Sequence, residues 1–103
     1  MKANVKTLLG FAQRAGKIVS GRSAVLGQLK KGRAQMVILA TDSASDLQGE
    51  VKSWCSGRKI PVFYAGTKVE LGLAIGKSPR AVLAVLDRNF AERIEQELGR
   101  EEP

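Results

Sequence analysis

Met36-Val37-Ile38-Leu39-Ala40 is five apolar residues in an unbroken row, and Ala81-Val82-Leu83-Ala84-Val85-Leu86 is six. Runs of that length without a polar break mark strands covered on both faces. The fold must therefore lay helices above and below a sheet, and the rest of the chain is patterned to supply them. Val5, Leu8, Leu9 and Ala12 recur at helical spacing behind Asn4, a possible cap, and Gly16 stops that helix. Lys17-Ile18-Val19 is long enough only for a short strand. Ser20 can cap a second helix that turns Val25, Leu26 and Leu29 inward and closes at Gly32. After the first apolar run, a polar loop from Thr41 to Ser45 leads to a helix with Leu47, Val51, Trp54 and Cys55 on its inner side. Ile60 to Ala65 predicts a further strand, with Pro61 near its start, where a missing N–H is tolerated. Thr67-Lys68-Val69-Glu70 has capping-box form and opens a short helix that ends by Gly76. Beyond the second run, Asp87 can cap a last helix in which Phe90, Ile94 and Leu98 lie four apart. Strands alternating with helices predict an α/β sandwich around a central, largely parallel sheet.

The 103 residues predict one domain over positions 1–98, with a frayed tail over 99–103. No repeat, linker or low-complexity tract interrupts it. No apolar run approaches the ~20 residues of a membrane span, and no secretory leader is visible at the start. Cys55 stands alone, so an internal disulfide is impossible, which fits a reducing cytoplasm. Histidine is absent altogether. That removes Ser/His/Asp and Cys/His catalysis and the commonest metal ligand, so neither metal nor cofactor is expected.

Charge is distributed unevenly. Residues 1–41 hold eight bases (Lys2, Lys6, Arg14, Lys17, Arg22, Lys30, Lys31, Arg33) and no acid, whereas nine bases face ten acids from Asp42 onward. The sequence pI is near 10. A one-ended basic field on a small domain is the electrostatic footprint of a phosphate-backbone binder. Three places carry it. Lys17 with Ser20-Gly21-Arg22-Ser23 would put hydroxyls, a guanidinium and free N–H groups at a helix N-terminus. The plainer alternative, Ser20 as a mere cap and Arg22 as an exposed charge, stands beside that reading. Lys30-Lys31-Gly32-Arg33 closes the same helix, where the dipole favours cations whatever the function. Lys77-Ser78-Pro79-Arg80 forms a rigid basic loop ahead of a strand. The glycines before it, Gly72 and Gly76, are one residue too close for a phosphate-binding P-loop, and Gly10 to Gly16 are one too far apart. Asp42 has no second carboxylate near it, and Trp54 and Cys55 sit at core spacing. Aromatic residues are few, which points to recognition of a structured RNA rather than stacking on a single strand.

The blocks LLGFAQRAGKIVSG, LKKGRAQMVILATDSAS, KIPVFYAG and ELGLAIGKSPRAVLAVLD, in that order, resemble the ribosomal protein L7Ae/L30e family, most closely its small bacterial YlxQ-type members. The resemblance covers nearly the whole chain. It implies a three-layer α/β/α sandwich with a four-stranded mixed sheet, and non-catalytic binding to kink-turn or related internal-loop RNA. In kink-turn binders of this family the helix opened here by Gly21 lies in the RNA groove. Its first turn reads sheared G·A pairs through an Asn-Glu dipeptide, with a lysine one turn on. Ser23 and Ala24 occupy the dipeptide positions here and Gly27 that of the lysine, while Lys31 keeps a base near the helix end. The loop that packs on a bulged nucleotide is usually apolar, and here it is Lys77-Ser78-Pro79. These differences shift the expected contact from base readout toward phosphate.

The resulting expectation is a cytoplasmic, monomeric, non-enzymatic protein that binds structured RNA, ribosomal or kink-turn-like, with the ribosome itself a candidate partner. The RNA would meet Lys17, Ser20, Gly21, Arg22, Ser23, Lys31, Lys77, Ser78, Pro79 and Arg80, with Arg22 contributing most. No DNA and no membrane is expected. The alternative is a protein-interaction module of the same fold that has lost base-specific readout.

Overall fold

The computed structural model describes residues 1–99. The chain alternates α1 (Ala3–Arg14), β1 (Ile18–Ser20), α2 (Arg22–Lys30), β2 (Met36–Leu39), α3 (Ser45–Ser56), β3 (Val62–Tyr64), α4 (Lys68–Ala74), β4 (Val82–Val85) and α5 (Arg88–Gly99). The strands form one sheet in the order β1-β4-β2-β3.

The unbroken apolar runs became the two central strands, β2 and β4, buried at every position. Period-two alternation then sorts their side chains between two cores. Met36, Ile38, Leu83 and Val85 face one way and pack with Val5, Leu8, Leu9 and Ala12 of α1, Leu71 of α4 and Ile94 of α5. Val37, Leu39, Val82 and Ala84 face the other way, against Val25 and Leu29 of α2 and Leu47, Val51 and Cys55 of α3. Trp54, Phe90 and Leu98 are partly buried at the margins of these cores. The result is the three-layer α/β/α sandwich with a four-stranded mixed sheet.

The sheet is not largely parallel. β2 and β3 pair in parallel, but β4 runs antiparallel to both of its neighbours, β1 and β2. A continuous apolar run reports burial on two faces and carries no information about direction, which is why the periodicity misread this point. The reversal of β4 has a structural consequence. The C-terminal ends of β1, β2 and β3 and the N-terminal end of β4 all lie on one side of the sheet.

Two expected caps are also replaced. The N-cap of α1 is Lys2, and Asn4 lies inside the helix, where its amide donates to Glu97 at 3.3 Å. Ser20 belongs to β1, and the N-cap of α2 is Gly21 at φ 91°. That left-handed φ is open to glycine at little cost. The Thr67 capping box and the Asp87 cap, whose carboxylate accepts from the Phe90 N–H at 2.9 Å, are both present. Gly99, expected in the frayed tail, is the last residue of α5, and the remainder of that tail lies outside the described residues.

Candidate nucleic-acid interface

Three helices, α2, α3 and α4, begin at the end of the sheet where β4 enters, and they treat their first turns differently. The first turn of α4 is satisfied within the protein. Thr67 and Glu70 exchange hydrogen bonds, and the Asp42 carboxylate accepts from the Lys68 N–H at 2.9 Å. α3 carries Asp46, which accepts from the Leu47 N–H. α2 has no acid in its first turn and no side-chain cap. The N–H groups of Arg22, Ser23 and Ala24 therefore remain available, with the positive end of the helix dipole behind them.

The loop from Lys77 to Arg80 is fixed beside this turn. The Arg80 guanidinium donates to the Ser20 hydroxyl at 3.1 Å and to the Ser78 hydroxyl at 2.7 Å, and also reaches the Ser78 and Pro79 carbonyls. The Gly21 N–H donates to the Val82 carbonyl at 3.0 Å. On its other side the loop lies against α4, where Gly72 permits the approach. A Cβ at Gly72 would stand 2.2 Å from the Ser78 carbonyl oxygen. Ser20 and Arg80, read from the sequence as RNA contacts, are thus the bracket that holds the site together. Lys77, Ser78 and Pro79 are its exposed part.

Arg22 is not an idle charge. It forms an ion pair with Glu50 of α3, both side chains being substantially exposed. Glu50 lies 28 residues away, and no local pattern in the sequence links the two. Ser23 and Ala24 are exposed on the same turn, and the space around Gly27 is empty, so only a short hydroxyl and a methyl project from this face where the resembled kink-turn binders carry Asn, Glu and Lys.

Lys17 and Lys31 are elsewhere. Lys17 precedes β1 at the opposite end of the sheet, where its carbonyl accepts from the Leu86 N–H. Three strand residues separate it from Gly21, a span of about 13 Å along the chain. Lys31 caps the C-terminus of α2, roughly 13 Å along the helix from Arg22. Of the ten expected residues, eight gather at one end and these two at the other.

Among the described residues no cluster of His, Cys, Asp or Glu could hold a metal ion. Cys55 is buried, and that burial pushes its thiol pKa up, opposed more weakly by Arg58. No helix among the described residues is long and apolar enough to cross a membrane.

The model of the ribosomal protein L7Ae/L30e/S12e/Gadd45 family matches residues 3–95. The chain is 38% identical over 87 residues to the RNA-binding protein YlxQ of Bacillus subtilis (strain 168), covering 84% of this chain and 87% of that one. It is 36% identical over 89 residues to the large ribosomal subunit protein eL30 of Methanosarcina mazei, covering 84% and 82%. A protein of unknown function from Bacillus halodurans C has the same fold, with a TM-score of 0.92 and 31% identity over 95% of this chain and 99% of that one. The 15.5kD RNA binding protein of Giardia lamblia shares the fold at a TM-score of 0.78 and 21% identity, covering 97% and 89%. With nearly its whole length matched, the chain belongs to the ribosomal protein L7Ae/L30e/S12e/Gadd45 family, as a bacterial member of the YlxQ type.

Proposed function

We propose that this protein is a non-catalytic RNA-binding protein that docks a structured RNA, a kink-turn or related internal loop, against the open first turn of α2 and the adjoining Lys77–Pro79 loop. One observation carries the reading. Of the three helices that start at this end, α2 alone is left without an acid in its first turn, and Arg80 pins a basic loop beside it. Free N–H groups, the Ser23 hydroxyl, part of the Arg22 guanidinium and Lys77 suit phosphate oxygens. The relatives named as RNA-binding and ribosomal proteins support the same assignment and favour a ribosomal RNA target in the cytoplasm. In this reading residues 1–98 act as one domain and a single copy binds, since the proposed contact residues all come from one chain.

With Ser23, Ala24 and Gly27 at the reading positions, affinity comes mainly from the backbone. The test compares a kink-turn RNA with the same RNA carrying replaced G·A pairs, each across a salt series. We expect binding to both with a steep salt dependence and a modest preference for the intact motif. Lys77→Gln should lower the salt slope by about 1. Failure of both RNAs to bind would sink the proposal and bring forward a protein partner on the same face.

A further inference from the structure

Most of the basic field lies away from the interface just described. Arg14, Lys17, Lys30, Lys31 and Arg33 end or follow α1 and α2, and all stand at the opposite end of the sheet, joined there by Arg58, Lys59 and Arg88 from the second half of the chain. A depression of about 570 Å³ opens at this end, walled by Gly32, Arg58, Lys59 and Arg88, with Glu92 and Glu95 on the α5 side. Lys30 and Arg58 meet over the Trp54 ring, at 5.6 and 4.4 Å from its centroid. Among the described residues none of these bases forms an ion pair; the two ion pairs present involve Met1 with Glu70 and Arg22 with Glu50.

Helix dipoles explain part of this cluster, because α2 and α3 both end here and cations are favoured at C-termini. They do not explain Lys59 or Arg88. Lys59 has φ 56°, the one non-glycine left-handed residue among those described, at a helix exit where glycine is ordinarily preferred. Gly57, two residues earlier, has an ordinary helical φ of −68°. Arg88 is the first residue of α5, at the positive end of a helix, where a cation is disfavoured. Two residues placed against local preference wall the same depression, and both add positive charge to it. Sites that break local rules in this way are where function is found.

We infer that this end is a second contact for an RNA phosphate backbone, so that the protein joins two RNA segments across the 27–30 Å of its body. The inference rests on the RNA-binding reading of the first face. A lipid surface fits less well, because the exposed large apolar residues Tyr64, Val69 and Leu73 do not line this depression, and Phe11, beside the cluster, has its ring under the Arg14 guanidinium at 4.9 Å from the centroid.

The test is a double variant, Lys59→Gly with Arg88→Gln. Each change relieves a local conflict, so the melting temperature should hold or rise, and both residues lie outside the first face. Full-length protein saturated with a dye-labelled kink-turn RNA is titrated with a plain A-form RNA duplex carrying a second dye, across a salt series. Wild type should form a complex containing both dyes. The variant should keep the kink-turn RNA, bind the duplex more weakly, and lower the salt slope of the duplex step by about two. An unchanged two-dye complex with an unchanged slope overturns the inference and leaves the first interface standing. A well-folded variant that loses the kink-turn RNA as well shows that all RNA binding runs through this end, which overturns the first interface instead. Loss of binding to phosphatidylserine vesicles with RNA binding untouched would make the cluster a membrane contact and refute the inference.

Discussion

Gly72 and Gly27 are both helical glycines, yet replacing each with alanine should move stability in opposite directions. At Gly27 a Cβ meets nothing within 4 Å. Alanine there collects its helix preference over glycine, up to about 1 kcal/mol. At Gly72 the added carbon would lie 2.2 Å from the Ser78 carbonyl oxygen, 2.7 Å from the Ser78 carbonyl carbon and 2.9 Å from the Lys77 oxygen. These are backbone atoms, so no rotamer change relieves the clash, and the loop must retreat by more than about 1 Å to reach van der Waals separation. The loop is held by the Lys77 N–H on the Gly72 carbonyl at 2.8 Å, the Arg80 N–H on the Lys68 carbonyl at 3.0 Å, and the Arg80 guanidinium bracket. Overpacking of this kind costs about 1–3 kcal/mol, against which the helix gain returns up to about 1. With backbone atoms at 2.2 Å the cost lies at the upper end of that range, so Gly72→Ala should lose about 2 kcal/mol while Gly27→Ala gains a fraction of one. Urea unfolding with a common slope measures both, and each kcal/mol should appear as about 4–8 °C in melting temperature. Because the displaced loop carries Lys77 and Ser78, Gly72→Ala should also weaken RNA binding under conditions where the protein remains folded. A Gly72→Ala protein as stable as Gly27→Ala would refute the packing of this loop on α4.

Glu50→Gln releases Arg22 from its ion pair. Since both partners are exposed, stability should change by less than about 1 kcal/mol, while fluorescence anisotropy should register tighter, more salt-dependent RNA binding; weaker binding would remove Arg22 from the site. Cys55, buried and held protonated by that burial, should resist alkylation near neutral pH until urea is added, and rapid labelling of folded protein would contradict its place in the core. The Thr67 backbone N–H, and after it the Met1 ammonium, holds Glu70 below the usual carboxylate range. A depressed folded pKa means the Glu70 contribution is present above the unfolded value and lost as pH falls through the folded one. Acid titration of stability should accordingly be flatter in Glu70→Gln than in wild type, and coincident curves would contradict the capping box.

The layers of the fold were legible because burial writes itself into hydrophobic period. The α1 stripe, the two central strands and the inner face of α3 can all be read from the spacing of Val, Ile and Leu. Strand direction was not legible, because β4 buries the same residues whichever way it runs. The site divides along similar lines. That Gly21, Ser23 and the Lys77–Pro79 loop belong to one candidate surface could be proposed from local composition and resemblance. The roles of Ser20, Arg22 and Arg80 could not, because their partners lie 28 to 60 residues away and are set by tertiary contact. Linear neighbourhood also misplaced Lys17, which a three-residue strand carries to the far end of the sheet.

The proposed interface is built in two strata with different obligations. Gly21, Ser20, Gly72 and Arg80 are tied into backbone geometry and hydrogen bonds that hold the loop against α2, so a change at any of them disturbs the fold locally. Ser23, Ala24 and Gly27 carry no such duty. They face solvent or empty space and contribute nothing to either core. Surface positions of that kind tolerate substitution with little change in stability. The scaffold of the family can therefore stay intact while the residues that would read bases are exchanged for small ones. That separation explains how Gly21 and the pinned loop coexist here with an empty reading face. In the proposed contact charge is then the remaining source of affinity, and five of the eight bases in residues 1–41 stand at the opposite end of the molecule.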